Sequence, residues 1–129
     1  LVSDWSSDVC SSDLEERLSD SLLATGFPTD RERALPRALA QLSAVAPHVR
    51  NVRNAGAAAL HLAYVAAGRL TGFWEENLNA WDIAAGMLLV QEAGGRVTDM
   101  DGSAYSLRVR NVAASNGRIH DELLDKLKI

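Results

Sequence analysis

Cysteine is nearly absent. The single Cys10 cannot close an internal disulfide, so no disulfide framework holds this chain together, and Cys10 receives no role. Long apolar runs are missing too. The stretch from Ala55 to Ala67 is interrupted by His61 and is too short to span a bilayer, and no basic start followed by a hydrophobic run marks a signal peptide. Positive charge is in deficit: 13 Lys and Arg against 17 Asp and Glu give a net charge of −4, which offers no general attraction for nucleic acid. These shortages lead us to expect a cytoplasmic protein with neither nucleic acid nor membrane as partner.

Several enzyme motifs are lacking as well. There is no Walker lysine loop, no dinucleotide-type glycine fingerprint after a strand, and no paired cysteines for zinc. Asp99-Met100-Asp101-Gly102-Ser103 has the alternating aspartates of a calcium loop, but its twelfth position is Arg110, where a bidentate glutamate is required. A turn between strands is the better account. His48, His61 and His120 share no metal-ligand spacing and read as structural or surface residues.

What is present suffices for one core, since 47% of the 129 residues are hydrophobic. Residues 1–14 hold the near-repeat Ser6-Ser7-Asp8-Val9 and Ser11-Ser12-Asp13-Leu14 with no helical or strand period. They read as a disordered leader that resembles translated adapter sequence, with native sequence expected from Glu15. Leu22–Thr25 reads as a buried strand ending at Gly26-Phe27-Pro28, and Thr29-Asp30 opens a helix closed by Pro47. A strand is expected over 48–53 and a helix over 57–67 stopped by Gly68. Further strands are expected at 70–74, 96–99 and 111–115, and a last amphipathic helix at 121–128. Strands alternating with helices indicate an α/β, layered architecture.

One helix draws attention, because Trp81-Asp82 heads the apolar run Ile83 to Ala93 before Gly94-Gly95. An aspartate there reads first as a helix cap; facing a cleft, it is also a hard-cation ligand. Trp81 is expected to be a core anchor that fixes Asp82. Glu75 and Glu76 precede it; one reads as a solvated loop charge, the other as an acceptor for substrate hydroxyls.

Trp81-Asp82-x-Ala84-Ala85-Gly86 followed by Glu92-Ala93-Gly94-Gly95 resembles the C-terminal signature of the inositol monophosphatase family. Leu22 to Pro28, Val52 to Leu60, Ala67-Gly68 and Ala113 to Asn116 support the resemblance in order, so that it covers roughly residues 22–129. The resemblance implies a layered αβαβα sandwich of which residues 15–129 form the C-terminal half, and a magnesium-dependent phosphomonoesterase, often dimeric. Inositol 1-phosphate is the expected substrate. Another small phosphate ester (3′-phosphoadenosine 5′-phosphate, histidinol phosphate or fructose bisphosphate) or a non-catalytic α/β fragment is the alternative. By position, Asp82 becomes a Mg2+ ligand, Glu75 a contact to ring hydroxyls, and Gly56, Ala57 and Ala58 the lining of the substrate pocket. Many relatives have Ser or Thr where Ala57 stands. The family's other metal-binding motifs, a Glu-Glu pair and Asp-Pro-x-Asp-Gly-Thr/Ser, do not occur here, so weak or no activity is expected of this chain alone.

Overall fold

The computed structural model describes residues 13–129. Cys10 and nearly all of the segment read as a leader lie outside the described residues. Asp13 is described, and its carboxylate accepts hydrogen bonds from Thr71 Oγ1 at 2.6 Å and Asn116 Nδ2 at 2.9 Å.

Five short strands form one mixed sheet: β1 (Leu22–Thr25), β2 (Asn51–Arg53), β3 (Gly72–Glu75), β4 (Arg96–Thr98) and β5 (Val112–Ser115), in the order β2-β1-β3-β5-β4. β1 runs parallel to both β2 and β3, with Ala24 opposite Arg53 and Phe73. β5 is antiparallel to β3 and to β4. Central strands such as β5 are buried along their whole length, as strands covered on both faces must be.

Four helices provide that cover. α2 (Ala58–Ala66) and α3 (Ala80–Glu92) lie on one face, where Leu62, Val65, Ile83 and Val90 meet Ala24, Phe73 and Ala114. α1 (Leu35–Val45) and α4 (His120–Leu127) lie on the other, where Val45, Leu123 and Leu127 meet Leu23 and Trp74. Phe73 and Trp74 thus feed opposite cores, as the two-residue period of a strand dictates. The expected α/β layering is present as helices, sheet and helices. α2 and α3 pack closely because Gly86 presents no side chain to Leu62; a Cβ there would come within 2.5 Å of the leucine Cβ.

Three expected boundaries move, each for a local reason. The helix anticipated from Thr29-Asp30 has its regular span only from Leu35: Asp30 Oδ1 accepts the Arg33 N–H at 3.0 Å and caps a turn over 31–34, and Pro36, which has no N–H to donate, separates that turn from the helix. The strand anticipated over 48–53 is only Asn51–Arg53, because Pro47 and His48 continue α1 as a 3-10 turn over Ala46–His48. The strand expected at 70–74 is displaced to Gly72–Glu75. Asp99 to Ser103 forms the expected turn, closed by Gly102 at φ 90°.

Candidate active site

β1 and β3 are parallel neighbours, so their carboxyl ends emerge on the same edge of the sheet. The chain leaves β1 toward α1 on one face and leaves β3 toward α3 on the opposite face. Diverging connections open a crevice between the two strand ends, the usual position of a ligand site in such sheets. Here the crevice is a cleft of about 520 Å³ lined by Gly26 and Phe27 after β1, Glu75 at the end of β3, Asp82 of α3, and Gly56, Ala57 and Ala58 leading into α2. All five residues singled out in the sequence therefore meet in one place. A second lobe of about 380 Å³ shares Phe27, Glu75, Leu78 and Asp82.

Asp82 is the third residue of α3. Its Oδ2 accepts the backbone N–H of Asn79, the residue preceding the helix, at 3.0 Å. This is the far half of a capping box rather than the N-cap itself. The approach to Asp82 is pinned: Leu78 N–H donates to Arg110 O at 2.8 Å, and Asn77 takes the left-handed conformation at φ 62°. Trp81, expected to be a core anchor, is instead 80% exposed. Two residues advance about 200° around a helix, so once Ile83 faces the sheet Trp81 must face away. Among the described residues the buried tryptophan is Trp74.

Glu75 is half-buried, and burial together with the neighbouring charge of Asp82 raises its carboxyl to about 7. It fills the space above Gly26; a Cβ at position 26 would collide with the Glu75 carboxylate. Glu76 faces away from this cluster and is bound by Arg37 Nε at 2.9 Å and Gln41 Nε2 at 2.7 Å. Neither glutamate is a solvated loop charge, which corrects the reading of one of them.

The opposite wall is the turn Asn54-Ala55-Gly56. Asn54 Oδ1 accepts the Gly56 N–H at 2.8 Å, and Gly56 has φ 84°. Ala57 is the N-cap of α2 and its methyl group caps nothing, so the first amides of the helix face the cleft without a side-chain acceptor. His61, one turn inside α2, accepts the Ala55 N–H on Nε2 at 2.8 Å, and its burial lowers its pKa. The sequence reading of His61 and His120 as structural holds, since His120 is buried between Thr98 and Ser115, while His48 is exposed. Phe27, Arg31, Asn54 and His61 are cleft residues that sequence reasoning did not single out. The signal for Phe27 lay in the pairing of β1 with β3, which places the residue after one strand beside the end of the other.

The site thus joins a negative side, Glu75 and Asp82, to an uncapped helix N-terminus that attracts anions. Two neighbouring carboxylates, one of them raised by burial and then by the charge of the other, are suited to a hard divalent cation. Among the described residues no group of three His, Cys, Asp or Glu side chains is placed to hold a metal. The described chain therefore fits such a cation as a contributor of ligands, not as a complete cage.

The profile of the inositol monophosphatase family matches residues 7–128. The chain belongs to the inositol monophosphatase family. An inositol-1-monophosphatase of Caulobacter vibrioides is 43% identical over 112 residues, which cover 86% of this chain and 44% of that protein. The Nus factor SuhB of Haemophilus influenzae is 40% identical over 116 residues, covering 90% and 43%. The crystal structure of extragenic suppressor protein suhB from Bartonella henselae matches with a TM-score of 0.86 at 45% identity over 92% of this chain and 46% of that one. The inositol monophosphatase of Anabaena matches with a TM-score of 0.86 at 40% identity, over 92% and 49%. This family member accordingly spans less than half the length of these relatives. No helix among its described residues is long and apolar enough to cross a membrane.

Proposed function

We propose that the whole protein is a magnesium-dependent phosphomonoesterase acting on inositol 1-phosphate or a closely similar polyol phosphate, and that this chain supplies one wall of its active site. The observation that carries the reading is the junction of Asp82 and Glu75 with the uncapped N-terminus of α2 in one cleft. Asp82 would hold the cation, since its hydrogen bond to Asn79 engages only one carboxylate oxygen. Magnesium supplies Lewis acidity for hydrolysis of the phosphate ester. Gly56, Ala57 and Ala58 direct backbone amides and the positive end of the helix dipole at the anionic substrate. Glu75, seated against Gly26, receives hydrogen bonds from ring hydroxyls when ionised and donates one when protonated, and its carboxyl at about 7 gives it access to both states near neutrality. The relatives that bear a phosphatase name favour this reading over a non-catalytic module. A cytoplasmic location and a homodimeric whole protein accompany it, supported by the family resemblance.

The test is hydrolysis by the whole protein, with its upstream reading frame restored. We expect preference for inositol 1-phosphate over 3′-phosphoadenosine 5′-phosphate, histidinol phosphate and fructose bisphosphate, dependence on magnesium, and a loss on the order of 10²-fold or more in kcat/KM for Asp82→Asn. Turnover by the 129-residue chain alone is expected to lie far below that of the whole protein. Metal-independent turnover, or full activity in Asp82→Asn, sinks the assignment.

A further inference from the structure

His61 is 1% exposed, and its ring lies 5.0 Å from that of Phe73 at an interplanar angle of 44°. Because Nε2 accepts the Ala55 N–H, the single proton of the neutral ring resides on Nδ1. That nitrogen is buried and has no hydrogen-bond partner among the described residues. The fold thus tolerates an unpaired donor at Nδ1 while keeping an acceptor at Nε2. The acceptor serves the cleft wall. The bond between Asn54 Oδ1 and Gly56 N–H shapes the turn internally, whereas the bond from Ala55 to His61 ties that turn to the helix whose N-terminus it precedes.

We propose that His61 is a positioning residue of the cleft: unprotonated Nε2 fixes the Asn54–Gly56 turn against α2, and a second proton on the ring releases it. The step is purely geometric. A proton on Nε2 would set one N–H donor against another, so His61 and Ala55 could no longer bond. Arg31, Glu75 and Asp82 line the cleft with His61, and Arg53, Tyr64 and Arg69 line the adjoining pocket with it, and none of them bonds to the ring. Burial opposes a second proton, which places release on the acid side of the ordinary histidine value. The consequence for substrate binding rests on the assignment of the α2 N-terminus to the anionic group.

Two nearly isosteric variants separate this role from mere packing. In His61→Gln the side-chain oxygen reaches the position of Nε2, whereas in His61→Asn it reaches only that of Nδ1 and falls short of Ala55. Amide hydrogen exchange at Ala55 in the 129-residue chain should show protection in wild type and His61→Gln and a loss of about tenfold or more in His61→Asn. As pH falls from neutrality to well below the ordinary histidine value, protection corrected for intrinsic exchange should fall in wild type and stay level in His61→Gln. Equal protection in both variants, or a level wild-type profile, overturns the proposal. Should His61→Asn fail to fold, the wild-type and His61→Gln profiles decide by themselves. In the whole protein, His61→Asn should raise KM with kcat kept, and His61→Gln should restore KM; unaltered KM in His61→Asn also counts against it. Exchange at Ala55 is read without turnover, so absence of hydrolysis overturns the phosphatase assignment alone.

Discussion

Gly26 and Glu75 occupy one space, so what position 26 requires is room for the Glu75 carboxylate rather than backbone freedom. A methyl group at position 26 meets the far end of a flexible side chain, so Gly26→Ala should change stability by no more than about 1 kcal/mol while expelling the Glu75 carboxylate from its seat. Misplacement by about 1 Å costs roughly 10²-fold in rate, so the whole protein carrying Gly26→Ala should fold normally in a thermal melt and lose activity on that scale. Normal activity would show that Glu75 does not act from this position. Two buried titrations oppose each other here. Burial, aided by the positive charge of Arg96 and only partly offset by Asp121, lowers His120 to about 4. The unfolded chain then binds a proton that the folded chain refuses, so this contribution is complete above about pH 6.5 and is lost by about 3 kcal/mol as pH falls toward 4. Glu75 has the reverse sign. Its folded value of about 7 stands above the ordinary 4.5, so its contribution is complete at low pH and is lost as pH rises toward 7. In chelator-containing buffer, urea midpoints between pH 4 and 7 should shift toward a fall with rising pH in His120→Gln, where Glu75 is left unopposed, and become more steeply acid-sensitive in Glu75→Gln, where His120 is left unopposed. Parallel profiles for wild type and both variants would refute the two assignments together.

At the scale of elements, α3 places one residue both in a helix cap and in the wall of a cleft. Asp82 closes the capping box by accepting the Asn79 N–H, and it also lines the cleft. Asparagine retains an oxygen for that bond but loses the charge. Asp82→Ala should therefore cost about 1 kcal/mol of stability, whereas Asp82→Asn should cost about 0.3–1 kcal/mol from the helix dipole, and in the whole protein both should lower the magnesium-dependent activity. Equal and large destabilisation by both would mean that the charge, rather than the bond, holds the helix start. This doubling was legible in the sequence, which placed Asp82 at a helix head and allowed either role. The fate of Trp81 was legible too, but only through the period of the helix, because Ile83, Gly86 and Val90 define a buried face that excludes it. Where reading failed, a single residue had decided the backbone. Asp30 caps a turn, but Pro36 has no N–H to join that turn to α1, and a break of that kind leaves no mark in hydrophobic periodicity. His61 escaped for a similar reason, since one polar residue in an apolar helix announces burial without naming the amide it serves.

For the whole molecule, alternation of strands and helices was enough to indicate layers, whereas the order β2-β1-β3-β5-β4 was not, because pairing is set by contacts distant in sequence. That order creates the cleft, so the residues beside Glu75 became visible only with the sheet assembled. It also leaves an outer surface with its own consequence. Trp81 is 80% exposed, and Leu88 and Leu89 are 55% and 45% exposed on the same helix. Spacings of seven and eight residues put these three side chains along one side of α3, away from the face that meets the sheet. An apolar stripe of this kind favours association, and among the described residues β2 has a strand on one side only, while β4 also bridges from Thr98 to Ala104. These two strands are only three residues long, which limits what strand addition can contribute. The helix stripe is therefore the stronger source of attraction. Sedimentation velocity of the 129-residue chain should show a sedimentation coefficient that rises with concentration, and Trp81→Lys with Leu88→Lys should suppress the rise. These positions are solvent-facing, so the double variant should keep its unfolding midpoint. Association that persists in the double variant would shift the cause to the sheet edges, and a wild-type monomer at every concentration would dismiss both.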